Sequence, residues 1–132
     1  MLMRMLQAGG LPVLTDEMRA ADADNPKGYF EFERVKRLAD DKEWLPQARG
    51  RVVKVISFLL AELPRDYAYR VIFIRRSLPE VLASQRAMLA RRDIPVADPA
   101  ADDRRMGALY RKHLWQVEGW LALRPNIRTL YV

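Results

Sequence analysis

Arg70-Val71-Ile72-Phe73-Ile74-Arg75-Arg76-Ser77-Leu78-Pro79-Glu80-Val81-Leu82-Ala83-Ser84 reads as two elements in succession. Val71 to Ile74 is a continuous apolar run rich in β-branched residues, the pattern of a strand buried on both faces of a parallel sheet. A helix follows. Ser77 offers a hydroxyl as N-cap, Glu80 three residues on completes a capping box, and Pro79 sits in the first turn, where its missing N–H costs nothing. Val81, Ser84, Gln85 and Met88 recur at steps of three and four and so share one face. That spacing predicts that Ser84 points inward.

Arg75 and Arg76 therefore stand at the carboxyl end of a strand, beside the opening of a helix. In open α/β sheets this edge is where ligands bind. The helix N-terminus presents free N–H groups and partial positive charge, which suit an anion. Arginine adds a planar, permanently charged fork that matches phosphate. The same two residues also satisfy a plainer description, a strand that simply ends in water.

Further strands are expected on both sides. Upstream, Arg51 to Ser57 places Val52, Val53, Val55 and Ile56 around Lys54. A lysine inside such a run needs a partner or a route to water. Downstream, Ile127 to Val132 forms another strand. The longest helix is predicted over Asp102 to Leu123, with Met106, Leu109, Tyr110, His113, Leu114, Val117, Trp120 and Leu121 as its apolar stripe. His113 reads as a packed residue of that stripe. Strand–helix–strand alternation implies parallel crossovers. The fold class expected is α/β: a three-layer, mostly parallel sheet of three to four strands with helices on both faces.

The remaining segments are shorter. Met1 to Ala8 reads as a helix stopped by Gly9-Gly10, and Leu11 to Leu14 as a short edge strand. Asn25-Pro26-Lys27-Gly28-Tyr29 marks turns, and a helix is expected from Glu31 to about Asp41. Phe58 to Leu63 forms a short apolar helix or turn ended by Pro64. Arg91 to Asp103 reads as a polar connection.

Composition sets the bounds. The 132 residues are enough for one domain with its own core. There is no cysteine and a single histidine, which removes disulfides and thiolate chemistry and argues against a zinc site. No apolar run approaches a membrane span. Net charge is +6, from 23 basic and 17 acidic residues, which favours anionic partners. The arginines are scattered and no aromatics interleave with them, so a small anionic ligand is expected, with neither nucleic acid nor a membrane as partner. The absence of cysteine and of a signal peptide fits a cytoplasmic location.

Taken together, these residues resemble the sulfotransferases that use 3′-phosphoadenosine 5′-phosphosulfate (PAPS), in particular the bacterial sulfotransferase-like proteins of the P-loop superfamily. That family carries a strand, an Arg, then a helix with Ser eight positions after the Arg, and Arg76 and Ser84 have this spacing. A segment similar to Asn25-Pro26-Lys27-Gly28-Tyr29-Phe30-Glu31 also occurs there. The resemblance implies that Arg76 and Ser84, with Arg75, hold the 3′-phosphate of the donor. It places Lys54 on a lysine that steadies charge on the donor's bridging oxygen. The family's histidine base falls on Ile56, which cannot accept a proton, so either Glu31 is the base or the base is absent, and Glu33 is a second acceptor-side carboxylate or an acidic residue of a first helical turn. The implied reaction moves a sulfuryl group from PAPS to a hydroxyl or amine of a small acceptor, without a metal.

Two parts of the family pattern have no counterpart. One is the Pro-Arg-Ser-Gly-Thr type loop that grips the 5′-phosphosulfate ahead of the first helix. The other is the Gly-rich segment at the adenine end. The expectation is a single domain over 1–132 that is a truncated form, or a degenerate one, with weak or no turnover and with sheet edges open to self-association. The alternative is a non-catalytic basic α/β module that binds a nucleotide or a protein.

Overall fold

Residues 1–16, 30–95 and 97–132 are described by a computed structural model, and they separate into two units, Met1–Leu63 and Pro64–Val132. The expected Asn25–Tyr29 turn segment lies outside the described residues.

The first unit opens with α1 (Leu2–Ala8), which buries none of its residues. It ends at Gly9, and Gly10 follows at φ 86, a conformation that glycine takes without steric cost. The core is built further on, around Leu38 and Trp44, both fully buried, with Val35, Leu45, Leu60 and Leu63. Trp44 sits edge-on to Phe32 with ring centroids 5.3 Å apart, and its indole N–H donates to the Asp41 carbonyl at 3.0 Å. The Arg34 fork donates to both Asp41 carboxylate oxygens at 2.7 Å. This closure interrupts the helix expected over Glu31 to Asp41. Only Glu33–Arg37 is helical, as a 3₁₀ turn, and two further 3₁₀ turns span Leu45–Ala48 and Ser57–Glu62.

The strand expected at Arg51 to Ser57 does not form. Its whole ladder is one parallel bridge between Val13 and Val52, in which Val52 N–H donates to Pro12 O at 2.8 Å and Leu14 N–H to Val52 O at 2.9 Å. The reason lies in the partner segment. Pro12 has no N–H to extend the ladder, and beyond Leu14 the donors turn elsewhere: Thr15 Oγ1 and Asp16 N–H both reach the Glu31 carbonyl, at 2.7 and 3.3 Å.

The second unit runs β1 (Tyr69–Phe73), α2 (Leu78–Arg91), α3 (Pro99–Ala122) and β2 (Ile127–Tyr131). The strands pair in parallel, Tyr69 opposite Ile127 through Phe73 opposite Tyr131, as the alternation of elements implies. The sheet has two strands. The three-layer sheet of three to four strands is therefore incorrect for the described residues: two expected strands, Leu11 to Leu14 and Arg51 to Ser57, are reduced to one bridge between them, and the connection between β1 and β2 is a pair of packed helices. Nor is β1 buried on both faces, since Arg70 is exposed, Phe73 alone is buried and the strand stops before Ile74, itself exposed.

Helix α3 starts earlier than the polar run 91–103 predicts. Asp98 accepts the Ala101 N–H at 2.9 Å and Pro99 takes the first helical position. On its inner face Gly107, Val117 and Leu121 are buried, while Leu109 is half exposed. Gly107 lies close to Leu78 and Leu82 of α2, and Tyr110 donates its hydroxyl proton to Gln85 Oε1 at 3.0 Å.

Past α3, Arg124 is buried at 8% exposure. Its guanidinium lies 4.6 Å over the Trp120 ring and donates to Asn126 Oδ1 at 3.1 Å and to the Pro64 carbonyl at 3.3 Å. Asn126 in turn donates to the Tyr67 carbonyl at 2.8 Å. The turn entering β2 is thereby fastened to the segment entering β1, which sets the register of the sheet.

Candidate functional site

The candidate residues form two groups, Lys54 with Glu31 in the first unit and Arg75, Arg76 and Ser84 in the second.

Glu31 is positioned by its backbone. Its carbonyl accepts from Thr15 Oγ1 and Asp16 N–H, and the preceding Phe30 holds φ 50, a left-handed conformation that a bulky residue seldom adopts. Lys54 follows two residues after the Val13–Val52 bridge. Together these contacts bring Lys54 Nζ to 3.5 Å from Glu31 Oε1, with side-chain exposures of 40% and 20%. The lysine is thus no buried interior residue of a strand; its side chain is partly exposed beside a half-buried carboxylate. Glu33 is directed elsewhere, with Oε1 accepting from Lys36 Nζ at 2.7 Å.

In the second unit the strand, loop and capped helix follow in the expected order. Ser77 caps α2, its hydroxyl accepting the Glu80 N–H at 3.4 Å. The two arginines at this junction differ in what holds them. Arg75 is exposed but engaged: Nη2 lies 2.8 Å from Glu118 Oε1 of α3, and the guanidinium stacks 4.2 Å over the Tyr131 ring of β2. Tyr131 is itself edge-on to Phe73 at 5.8 Å. Arg76 is also exposed, and it has no ion-pair partner among the described residues. One arginine is built into the end of the sheet, and the next projects into solvent.

Ser84 is exposed, which corrects its expected inward orientation. The partly buried arc of α2 is formed by Leu78, Val81, Leu82, Gln85, Met88 and Leu89, and Ser84 falls at the edge of that arc. Its place relative to the cap is set by helix geometry. Seven residues separate Ser77 from Ser84, which puts both on one side of the helix about 10 Å apart along its axis.

The partners that hold Arg75 escaped the sequence reading. Glu118 stands on the flank of the α3 stripe, and Tyr131 faces Phe73 once the parallel register is known. The second was within reach of the sequence, because both strands were; the first needed the rotation of α3. Arg124 reads as part of a turn, and nothing local marks it as buried.

Among the described residues no helix is long and apolar enough to cross a membrane, and no group of three or more His, Asp or Glu is placed to hold a metal ion. Comparison of the chain with known protein families, with curated proteins and with solved structures finds no match.

Proposed function

We propose that the chain is sulfotransferase-like: it binds the 3′-phosphorylated nucleotide of PAPS and serves transfer of the sulfuryl group to a hydroxyl or amine of a small acceptor. The observation that carries the reading is Arg76, an exposed arginine without an ion-pair partner among the described residues, between the end of β1 and the capped start of α2. Such a cation beside the positive end of the helix dipole suits a phosphoryl group. Ser84, on the same side of α2 as the cap, supplies a hydroxyl further along. Arg75 braces the junction through Glu118 and Tyr131, a positioning role that replaces the direct contact implied by the resemblance.

The chemistry resembles phosphoryl transfer, an in-line displacement in which charge grows on the departing phosphate oxygen and is steadied by positioned cations. Lys54 is the cation assigned to that oxygen. Glu31, 3.5 Å from Lys54, is the carboxylate assigned to take the acceptor's proton. The reading carries a cytoplasmic location and needs no metal.

Binding measured by calorimetry tests the assignment. The chain should prefer 3′-phosphoadenosine 5′-phosphate over adenosine 5′-phosphate, and Arg76→Ala should lower affinity for the former by about tenfold or more while leaving the latter unchanged. Ser84→Ala should act in the same direction with a smaller loss. Equal affinity for the two nucleotides would remove the assignment. The engagement of Arg75 by Glu118 favours a second reading, a non-catalytic module with one arginine at its edge. Lys54→Ala separates the two, because it slows release of the sulfuryl group in an enzyme and changes nothing in a module that only binds.

A further inference from the structure

Four of the five charged residues on the outward face of α3 are basic, the fifth being Glu118. Arg104, Arg105, Arg111 and Lys112 are all exposed, and none is in an ion pair among the described residues. None of the three carboxylates of the helix pairs with these four. Asp102 is half-buried in the first turn, Asp103 lies 2.9 Å from Arg86 of α2, and Glu118 lies 2.8 Å from Arg75. Scattered along the sequence, the four cations are gathered by the helical repeat: Arg104, Arg111, residue 115 and Glu118, the last already paired with Arg75, fall in one row, with Arg105 and Lys112 beside it. Residue 115 is a tryptophan, 78% exposed, and Leu123 at the C-cap is 84% exposed. Gly119, one turn beyond Trp115, faces open space.

We propose that this face docks on the surface of a bilayer that contains acidic phospholipid, a partner that the scattered arginines of the sequence argued against. Four unpaired cations would attract any polyanion, so the apolar residues decide among them. A single indole gives no series of platforms for successive bases, and Leu123 gains nothing from a phosphodiester chain. At the boundary between headgroups and acyl chains both gain, since indole rings settle there while neighbouring Arg and Lys meet anionic headgroups. The proposal stands apart from the nucleotide site, which involves neither α3 cations nor Trp115.

Sedimentation of the full chain with vesicles tests it, using phosphatidylcholine alone and equal parts phosphatidylcholine and phosphatidylserine. The chain should pellet with the mixed vesicles and stay in solution with the neutral ones, and added salt should release it. Tryptophan emission gives an independent readout. Trp44 is fully buried and Trp120 lies under Arg124, so a blue shift on binding reports Trp115, and Trp115→Ala should abolish it. Arg111→Gln should weaken binding about fivefold, the share of one cation near an anionic surface, and Arg104→Glu with Arg111→Glu should abolish it. Arg51→Glu, an exposed change outside α3, should have little effect. Equal binding to neutral vesicles would overturn the proposal. So would unshifted emission, an Arg51→Glu loss as large as that of Arg111→Gln, or tighter binding to a single-stranded oligonucleotide or an acidic protein with the same response to Trp115→Ala.

Discussion

At the scale of single residues, Arg124 and Arg76 show how position decides what a guanidinium does. Arg124 is buried and its donors are distributed over Asn126 and the Pro64 carbonyl, so Arg124→Ala leaves half-buried acceptors unsatisfied. The expected loss is about 2–3 kcal/mol of stability, read from the urea midpoint, and Arg124→Lys should recover only part of it because an ammonium cannot reproduce the fork. Arg76→Ala should leave that midpoint unchanged, since its side chain is exposed and has no ion-pair partner among the described residues. The site was legible in part at this scale. The order strand, Arg-Arg, cap, helix follows from local chemistry and is observed. Which arginine is engaged depends on Glu118 and Tyr131, both distant in sequence, and the exposure of Ser84 depends on how α2 is rotated against α3. Spacing fixes which residues share a face, and only packing fixes which way that face turns.

Among the elements, the two long helices differ in how firmly they are started. The Asp98 cap is shorter than the Ser77 cap, 2.9 against 3.4 Å. Asp98→Ala should therefore cost about 1 kcal/mol and Ser77→Ala about half of that, as read by thermal unfolding. Gly107 tests the α2–α3 contact. A Cβ there would meet Arg111 Nη1, Leu78 and Leu82 at 3.5–3.7 Å, ordinary contact distances. Gly107→Ala should raise stability by roughly 0.5–1 kcal/mol through helix propensity, whereas Gly107→Leu should lower it by forcing the helices apart. Helices α2 and α3 and strands β1 and β2 were legible because caps and periodicity are local signals. The start of α3 was read three residues late, inside a polar connection, although Asp98-Pro99 carries the same capping chemistry that marks Ser77. The Arg51 to Ser57 run was misleading: its β-branched residues satisfy strand propensity, but a strand needs a partner with free donors and acceptors, and Pro12 and the turn of Thr15 and Asp16 toward Glu31 withdraw them.

For the whole molecule, pH brings several of these contacts together. The Arg34 fork holds the Asp41 carboxyl below its usual range, so its contribution is present above the unfolded value and is lost as pH falls through the folded one. Burial lowers the His113 pKa. The unfolded chain then binds the proton more readily below about pH 6.5, and stability falls in that direction. Burial raises the Tyr69 phenol to about 12, which has the opposite consequence: its contribution is complete below about pH 10 and disappears as pH rises toward the folded value. Urea midpoints should therefore form a plateau between these limits, with His113→Asn flattening the slope on its acid side and Tyr69→Phe delaying the alkaline fall. Recognition of a phosphoryl group by the β1–α2 junction underlies the proposed activity. Titration of isotope-labelled chain followed by NMR tests this most directly. Addition of 3′-phosphoadenosine 5′-phosphate should shift the amides of Ser77, Leu78 and Glu80 and the Arg76 Nε resonance, and adenosine 5′-phosphate should leave them in place. Unmoved junction resonances, or equal shifts with both nucleotides, would contradict it.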